Sequence, residues 1–445
     1  MDKQELEKLI KEKEYLFLKE KLEKTNEVDI AELLEPLDIH TTLLIFRMLP
    51  KDVAVEVFAE FSVEKQKNFV GLATNKELKE IVDELFFDDM IDLIEEMPAN
   101  IVKKILMHTR EEERNLINQF LRYPPDSAGS IMTIEYVDLK KAMTVKDALS
   151  HIRKIGLKKE TVYTCYVTDK NRKLEGIVSL RKLVISDESD VIEDIMDQDV
   201  IYVYTHDDQE AVAAVFKRYG FLALPVVDKE DRLTGIITVD DIMAVIDQEA
   251  TEDFQKMAAM APTEEKYLDA DIFTLAKHRI TWLVFLMLSA TFTEGIIRKF
   301  EGFLETVVVL AAFIPMLMDT GGNSGSQSST LIIRGLALGE IGLKDAGKVV
   351  WKEFRISLVV GIALAAVNFT RIYFFSGVGL AVALTVSMTL VVVIIISKVA
   401  GGILPILAKR VNLDPAVMAG PLITTIVDAL CLMVYFSVAA WLLNI

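Results

Sequence analysis

The most informative segment of this sequence is Phe313-Ile-Pro-Met-Leu-Met-Asp-Thr-Gly-Gly-Asn-Ser-Gly-Ser-Gln-Ser-Ser-Thr-Leu-Ile-Ile-Arg334. It begins as an apolar helix, turns into glycine and small polar residues between Asp319 and Thr330, and becomes apolar again at Leu331. Such an interruption cannot face lipid, because its backbone N–H and C=O groups would have no hydrogen-bond partners there. Broken membrane helices often line the path of an ion or substrate, so we predict a broken span that is buried in protein or lines a wet cavity. The alternative is a cytoplasmic loop between two short spans.

Charge divides the chain into two halves. Residues 272–445 hold 13 Lys+Arg and 9 Asp+Glu, whereas residues 1–271 hold 36 and 58. Apolar residues are distributed in the opposite way, which predicts an acidic soluble half followed by a membrane half. An acidic surface of this strength repels nucleic acid and attracts cations, so we expect no nucleic-acid partner. For most of these carboxylates, an ordinary solvated surface is the simpler interpretation.

The cysteines and the N-terminus narrow the class further. Cys165 and Cys431 match neither a metal-binding spacing nor a disulfide framework. The opening Met1-Asp-Lys-Gln-Glu5 is followed by amphipathic charge rather than an apolar run, so we predict no secretory signal peptide. We therefore expect the soluble half to lie in the cytosol and the protein to be a multi-pass component of the cell membrane.

Residues 1–125 show helical periodicity. They contain one glycine, and apolar residues recur at spacings of three and four, with breaks at Pro36, Pro50 and Pro98. This pattern predicts a stack of short helices. Asp88 and Asp92 are four residues apart, so they share a helix face and repel each other unless a cation lies between them. Solvated acids near a helix N-terminus are the alternative interpretation.

Residues 126–250 contain an internal repeat. The segment Val162–Ser179 and the segment Phe221–Thr238 each read as a strand, a charged turn, a glycine and a second strand. Gly176 and Gly235 are 59 residues apart, which indicates two copies of one α/β module, at 126–190 and 191–246. The pair resembles tandem CBS modules. That resemblance implies a regulatory pair that binds adenine nucleotides or ions and is not usually catalytic.

The connector, residues 247–271, continues an acidic helical run that begins near Asp240. Its acids Glu249, Glu252 and Asp253 fall on one face by spacings of three and four. A helix that joins a sensor to a membrane domain can transmit movement, and cations would let its acids pack against other acids. A solvated linker helix is the alternative.

We predict five membrane spans in residues 272–445, because several of five apolar segments reach the roughly 20 residues that cross a bilayer. They are Ile280–Ile297, Phe303–Leu338 with its interruption, Ile356–Phe375, Leu380–Leu407 and Val417–Leu443. Basic residues cluster before the first span, between the second and third, and between the fourth and fifth. The positive-inside rule then puts the N-terminus in the cytosol and the C-terminus outside.

Asp428 is the most informative single residue, because it is a carboxylate within the apolar fifth span. A carboxylate in that place is costly unless it faces a cavity or an ion. Thr424 lies one turn earlier on the same face, and Pro421 is expected to free a carbonyl nearby. These oxygens suit a hard cation such as Mg2+, which tends to keep its waters. A structural aspartate bonded to a neighbouring helix is the alternative.

The acidic helical domain, the CBS pair, the acidic connector and the five spans with Thr320-Gly-Gly-Asn-Ser-Gly-Ser-Gln327 together resemble the MgtE family of magnesium channels. The resemblance implies a multi-domain fold with an all-α cytosolic N-domain, a tandem CBS pair, a long connecting (plug) helix and a five-helix transmembrane domain. It also implies a homodimer in the lipid bilayer, with the pore at the dimer axis between spans two and five. Asp428 and the carbonyl of Thr424 would hold hydrated Mg2+ there, beside Gly321, Gly322 and Asn323.

The resemblance further implies that cytosolic Mg2+ bridges acids of the soluble domains and the plug and holds the pore shut. The acids in matching positions are Glu56, Asp88, Asp92, Asp208, Glu210, Asp241, Glu249, Glu252, Asp253 and Asp414. Gly220 and Ala244 fall where some members carry acids, so one or two sensing sites are expected to be missing. Some members bind ATP in the CBS pair, which makes ATP a candidate ligand here.

Three other functions compete with this one. A CBS-bearing intramembrane metalloprotease would need His-Glu-x-x-His on a span, but all five histidines precede the first span, so we expect no enzyme. A non-conducting membrane Mg2+ sensor is disfavoured by Asp428 and the second span. The same architecture conducting Co2+, Ni2+ or Mn2+ remains open, because a site that holds a hydrated ion distinguishes chemistry weakly.

Overall fold

The computed structural model describes residues 2–107, 109–263, 267–268 and 270–443, with the backbone alone at 96, 112, 303 and 306. The predicted N-domain, connector and membrane domain therefore each include residues outside the described ones. The chain divides into two compact units, residues 1–246 and 247–445. Each unit is described by itself.

The first unit opens with an all-helical domain, which confirms the predicted stack. Proline ends or begins helices where the sequence placed the breaks: α5 and α9 follow Pro50 and Pro98 directly. Polar side chains cap several N-termini, and Thr74 and Glu77 form a capping box on α7. The helices are α1 Lys3–Glu12, α2 Tyr15–Leu22, α3 Glu27–Leu34, α4 Ile39–Phe46, α5 Lys51–Ala59, α6 Val63–Leu72, α7 Asn75–Glu84, α8 Phe87–Glu96, α9 Ala99–Leu106 and α10 Glu111–Phe120.

The repeat folds as two similar modules, each with a three-stranded sheet in which a parallel pair is followed by an antiparallel pair. The first contains β1 Val137–Leu139, α11 Val145–Ile155, β2 Thr164–Thr168, β3 Leu174–Ser179 and α12 Leu180–Ile185. The second contains α13 Ile192–Ile195, β4 Val203–Tyr204, α14 Gln209–Tyr219, β5 Ala223–Val227 and β6 Leu233–Thr238. The predicted tandem α/β pair is confirmed.

The repeated glycines have the same physical role in both modules. A Cβ at Gly176 would lie 2.8 Å from Sδ of Met196, and a Cβ at Gly235 would lie 2.9 Å from Sδ of Met132. Each strand glycine thus leaves room for a methionine near the start of the other module. Isolated β-bridges join Ile177 to Asp197 and Thr133 to Ile236, so backbone hydrogen bonds also link the two modules. The first segment of each module therefore packs on the sheet of the other module.

The connecting helix α15 runs Val239–Met257, so it begins and ends earlier than the predicted connector at 247–271. Ala259 has φ 53°, a left-handed conformation that stops a helix, and Pro262 follows. Residues 258–263, 267–268 and 270–271 are not helical.

The second unit is helical. Its helices are α16 Ile272–Lys299, α17 Glu301–Thr306, α18 Ile314–Ala337, α19 Ala346–Phe375, α20 Leu380–Arg410 and α21 Gly420–Leu443. Four segments among the described residues are long and apolar enough to cross a membrane: Ile272–Lys299, Leu343–Phe375, Leu380–Arg410 and Gly420–Leu443. They agree with predicted spans one, three, four and five. Helix α18 occupies the place of span two, but it is not among these four.

The predicted break in span two is wrong. Helix α18 continues through the whole glycine-rich stretch, and the irregular part lies before it, in a 3₁₀ helix at Val308–Phe313. An unbroken helix satisfies its own backbone hydrogen bonds. Its glycines form a close-packing face, because a Cβ at Gly322 would lie 2.9 Å from Cγ2 of Thr424. A Cβ at Gly401 of α20 would lie 2.2 Å from the carbonyl oxygen of Gly325.

This close approach generates a stability prediction. Gly401→Ala should lower the free energy of unfolding by about 1–3 kcal/mol, because the new methyl group forces α18 and α20 apart. Gly347→Ala is the matched control, since nothing lies within 4 Å of a Cβ at Gly347 on the exposed side of α19. The control should be neutral or stabilising by up to about 1 kcal/mol. Thermal unfolding of the detergent-solubilised protein measures both, and equal midpoints for the two variants would contradict the packing argument.

Candidate functional site

Helix α18 has a polar stripe of side chains on its exposed face. We use this name for Asp319, Asn323, Gln327 and Thr330, which are all exposed and follow one another at spacings of four and three. The opposite face of the helix holds the buried glycines and Ser324, Ser328 and Ser329. Gly321 and Gly322 therefore act as packing positions, whereas Asn323 belongs to the stripe.

Asp428 lies half-buried on α21, and its carboxylate interacts electrostatically with that of Asp319. The sequence identified Asp428 as a lone charge in an apolar span. Asp319 was missed, because it was interpreted as the first residue of a break. The signal that would have found it is its spacing of four from Asn323, which places both residues on one face of a continuous helix.

The structure corrects the predicted role of Pro421. This residue lies in the first turn of α21, where its missing N–H leaves no hydrogen bond unmade. Its carbonyl accepts hydrogen bonds from Oγ1 of Thr424 and Oγ1 of Thr425, each at 2.9 Å. Because no residue of α21 lies four positions before it, Pro421 deprives no carbonyl of this helix of its hydrogen bond, and the predicted freed carbonyl is wrong. Thr424 remains in contact with Gly322 across the interface of α18 and α21.

A buried polar network fixes α18 on its other side. Ser328 donates a hydrogen bond to Oε2 of Glu353 at 2.6 Å, and Nζ of Lys398 lies 3.5 Å from the Ser328 oxygen. Glu353 and Lys398 are 6% and 5% exposed, so both charged groups are withdrawn from lipid. The network joins α18, α19 and α20, and it holds the rotation of α18 that directs the polar stripe outward.

The first unit contains an acidic cluster: Asp88 and Asp89 of α8, Glu135 and Glu160 of the first CBS module, and Asp240 and Asp241 at the start of α15. Oδ1 of Asp88 is buried without a hydrogen-bond partner among the described residues. Such an oxygen is costly to leave unpaired. A cation between Asp88 and Asp241 would satisfy it.

Burial and mutual repulsion raise the pKa values of this cluster. Burial, followed by the charge of Asp241, raises the pKa of Asp88 to about 9, and the same two causes raise that of Asp89 to about 6. Burial and then Asp241 also raise the pKa of Glu160 to about 7. Each ionised carboxylate here is therefore destabilised by burial and, in addition, by its charged neighbours.

Only some of the predicted sensing acids belong to the cluster. The structure brings Asp88 and Asp241 together, whereas Glu56 lies near Glu27 and Asp52. Asp92 and Glu210 are exposed, and Asp208 caps α14 by accepting a hydrogen bond from the Glu210 backbone at 2.9 Å. The sequence missed Asp89, Glu135, Glu160 and Asp240. Of these four, only Asp89 and Asp240 could have been suspected from the sequence, because each is adjacent to a predicted sensing acid.

The cluster is not a ready-made ligand cage. Among residues 2–107, 109–263, 267–268 and 270–443, no three His, Cys, Asp or Glu side chains are arranged to hold a metal ion directly. The acids of the cluster interact through space without converging on one point. This arrangement suits a cation that keeps its water shell, as Mg2+ does.

The C-terminal end of α15 contacts the membrane helices within the second unit. Met257 packs with Ile333 of α18 and with Ala416 and Ala419, which precede α21. Nζ of Lys256 lies 2.7 Å from Oε1 of Glu252 and 2.7 Å from Oδ2 of Asp414. Burial, followed by the charge of Asp414, raises the pKa of Asp253. Three predicted acids, Glu252, Asp253 and Asp414, therefore do lie together.

Comparison with known protein families assigns all three regions. Residues 314–438 match the divalent cation transporter family MgtE, and residues 25–126 match the MgtE intracellular N domain. Residues 128–187 and 192–248 match the CBS domain. These ranges contain the polar stripe, Asp428 and the acidic cluster.

Similar proteins agree with these families. The chain is 37% identical to the magnesium transporter MgtE of Thermus thermophilus, over 99% of this chain and 98% of that one. It is 32% identical to the Bacillus subtilis magnesium transporter MgtE, over 92% and 93%. A crystal structure of the soluble part of a magnesium transporter superposes with a TM-score of 0.53 at 30% identity, covering 56% of this chain and 98% of that one. The cytosolic domain of the Mg2+ channel MgtE in complex with ATP gives 0.51 at 35% identity, covering 54% and 98%. The chain therefore belongs to the MgtE family of divalent cation transporters.

Proposed function

We propose that this chain conducts Mg2+ through the membrane and that cytosolic Mg2+ closes the path. The observation that carries the proposal is the interaction of Asp428 on α21 with Asp319, which belongs to the polar stripe of α18. Charged and amide side chains there are costly against lipid and are expected to face a wet path. The similarity to magnesium transporters over nearly the whole chain supports Mg2+ as the cargo.

The polar stripe supports a homodimer. In one protomer Asp319, Asn323 and Gln327 are exposed, although α18 is otherwise packed against α20 and α21. A second copy related by a two-fold axis would cover this stripe with the same stripe and enclose a polar path between them. The path would then be lined by α18 and α21 of both protomers, with the N-terminal half in the cytosol and the C-terminus outside.

The lining chemistry supports a hard cation. Asp319 and Asp428 offer carboxylates, and Asn323 and Gln327 offer amide oxygens. Oxygen ligands suit Mg2+ and Mn2+ better than soft metals, whereas Cys431, the thiol nearest to Asp428 in sequence, is buried. Conduction of Co2+, Ni2+ or Mn2+ by the same path is the second candidate. Competition by these ions in the flux assay distinguishes the two.

The acidic cluster supports the closing mechanism. Asp88 and Asp241 repel each other while they face one another as bare carboxylates, and a shared hydrated cation would remove that repulsion. The packed arrangement thereby binds cations better than an opened one, so cytosolic cations shift the population towards it. The similar cytosolic domain of the Mg2+ channel MgtE was solved in complex with ATP, which supports ATP as a candidate ligand of the CBS pair. For this chain, ATP binding stays a prediction.

Removing the carboxylate of Asp428 should abolish most of the transport. We expect Asp428→Ala to reduce Mg2+ uptake into proteoliposomes at least tenfold, because it removes a charge that compensates the ion for its lost solvation. Glu340→Gln, which neutralises an exposed carboxylate of the same half, should stay within twofold of wild type. Wild-type uptake by the Asp428→Ala protein would refute the proposed path, and no uptake by the wild type would leave a non-conducting sensor.

Neutral variants of the sensing acids should keep the path open at high cytosolic Mg2+. We expect Asp88→Asn and Asp253→Asn each to raise the Mg2+ concentration for half-closure several-fold, because each removes a charge that a closing cation would neutralise. Asp83→Asn, on the exposed side of α7, is the control and should leave the closing curve unchanged. The readout is uptake while Mg2+ is titrated on the side of the soluble domains. A closing curve that coincides with the wild type in both variants would exclude this mechanism.

Acidic pH should stabilise the first unit when divalent cations are removed. The pKa values of Asp88, Glu160 and Asp89 are raised to about 9, about 7 and about 6, so folding favours their protonated forms. Below the ordinary carboxyl pKa of about 4, these groups therefore do not lower the free energy of unfolding. Their destabilising contribution grows as pH rises towards the raised pKa values. In EDTA, we expect the thermal midpoint of Asp88→Asn to exceed that of the wild type by a margin that widens between about pH 5 and about pH 9. Parallel curves would show that folding does not raise the pKa of Asp88.

A further inference from the structure

The position between Glu252 and Asp414 is taken by a cation that belongs to the chain itself. The Lys256 ammonium lies 2.7 Å from a carboxylate oxygen of each residue. An ordinary lysine side chain has a pKa of about 10.4, and two carboxylates at this distance favour its charged form. The lysine is therefore charged throughout the physiological range.

This geometry disagrees with one expectation from the resemblance, which assigns Glu252 and Asp414 to a regulatory Mg2+. A direct Mg2+ ligand lies at about 2.0–2.1 Å from the ion, so an ion on both carboxylates would have to displace the ammonium. Two positive charges in that position would also repel each other strongly. The residues present fit a lysine bridge rather than a divalent ion.

The bridge lies in a contact that is already closely packed. A Cβ at Gly420, the first residue of α21, would lie only 2.6 Å from the carbonyl oxygen of Met257. Gly420 has φ 37°, a conformation that favours glycine, which lets the backbone of α15 approach. Asp414 is also held, because its Oδ1 accepts a hydrogen bond from the backbone of Ala416 at 2.8 Å. Lys256 thus meets a carboxylate whose position is fixed.

We propose that Lys256 is a tethered cation that holds the end of α15 against the start of α21 without a divalent ion, and that it thereby sets the Mg2+ threshold of closure. The inference rests on the proposed function and adds a residue that determines its threshold. An intramolecular cation is present at constant effective concentration, so this end of the connector needs no ion from solution. The remaining mobile ions act at the acidic cluster and at Asp253.

The flux test compares three variants. Lys256→Gln removes the tethered charge, so half-closure should move to an Mg2+ concentration about three- to tenfold higher, and the curve should become steeper because a further ion is now needed. Lys256→Arg keeps a charge that can reach both carboxylates and should stay within twofold of wild type. Lys344→Gln removes an exposed lysine of the membrane half and should have no effect. An unchanged closing curve for Lys256→Gln would overturn the proposal.

A second readout does not depend on conduction. Met257→Cys and Ala416→Cys place two thiols in the packed contact, and disulfide formation with copper phenanthroline reports how often the contact is closed. With Lys256 present, cross-linking in EDTA should be fast and insensitive to added Mg2+. With Lys256→Gln, it should be at least severalfold slower in EDTA and restored by Mg2+. Cross-linking that requires Mg2+ even with Lys256 present would overturn the proposal, whereas absent uptake with the expected cross-linking would reject only the proposed transport.

Discussion

The close approach of α18 and α20 is the constraint on which the membrane unit depends. A side chain at Gly401 would collide with the carbonyl oxygen of Gly325, so only glycine permits the two backbones to meet. With the glycine face packed inward, the helix has one remaining orientation, and the polar stripe must face outward. Thr424 contacts Gly322 in the same packing layer, and Asp428 follows it by one turn on α21. The polar side chains of the membrane unit are thus positioned by close contacts at glycine residues, where the helix backbones approach each other.

The sequence predicted those parts of the fold that local pattern determines. Helical periodicity and proline breaks gave the N-terminal helices, and the spacing of Gly176 and Gly235 gave the two modules. The exchange of Met132 and Met196 between the sheets was not predictable, because it depends on which module each segment reaches in space. The prediction of a break in α18 was wrong for the same reason, because the continuity of this helix also depends on contacts in space. Glycine and serine are weak helix formers in isolation, and only packing against α20 and α21 shows why a helix is retained.

The candidate sites divide in a similar way. Asp428 was predictable, because a carboxylate in an apolar span is costly unless it faces a cavity, an ion or a polar partner. Asp319 was not, since its meaning changes when the surrounding stretch is a helix rather than a break. In the soluble unit, the spacing of acids on one helix face singled out Asp88, and the resemblance supplied Asp241, which lies far from it in the chain. Glu135 and Glu160 had no local signal at all, because their importance arises from burial beside acids of other elements.

The two acidic regions of the chain use opposite electrostatics. In the first unit, burial and the nearby carboxylate of Asp241 both disfavour the charged form of Asp88, so the two ionised groups repel each other. At the end of α15, Lys256 already compensates Glu252 and Asp414, so that contact is favoured at every ionic composition in which the lysine is charged. Sensitivity to a mobile ion requires an uncompensated charge, and a compensated charge removes it. Under the proposed function, the position of one lysine therefore distinguishes a contact that would respond to ions from a contact that would be maintained without them.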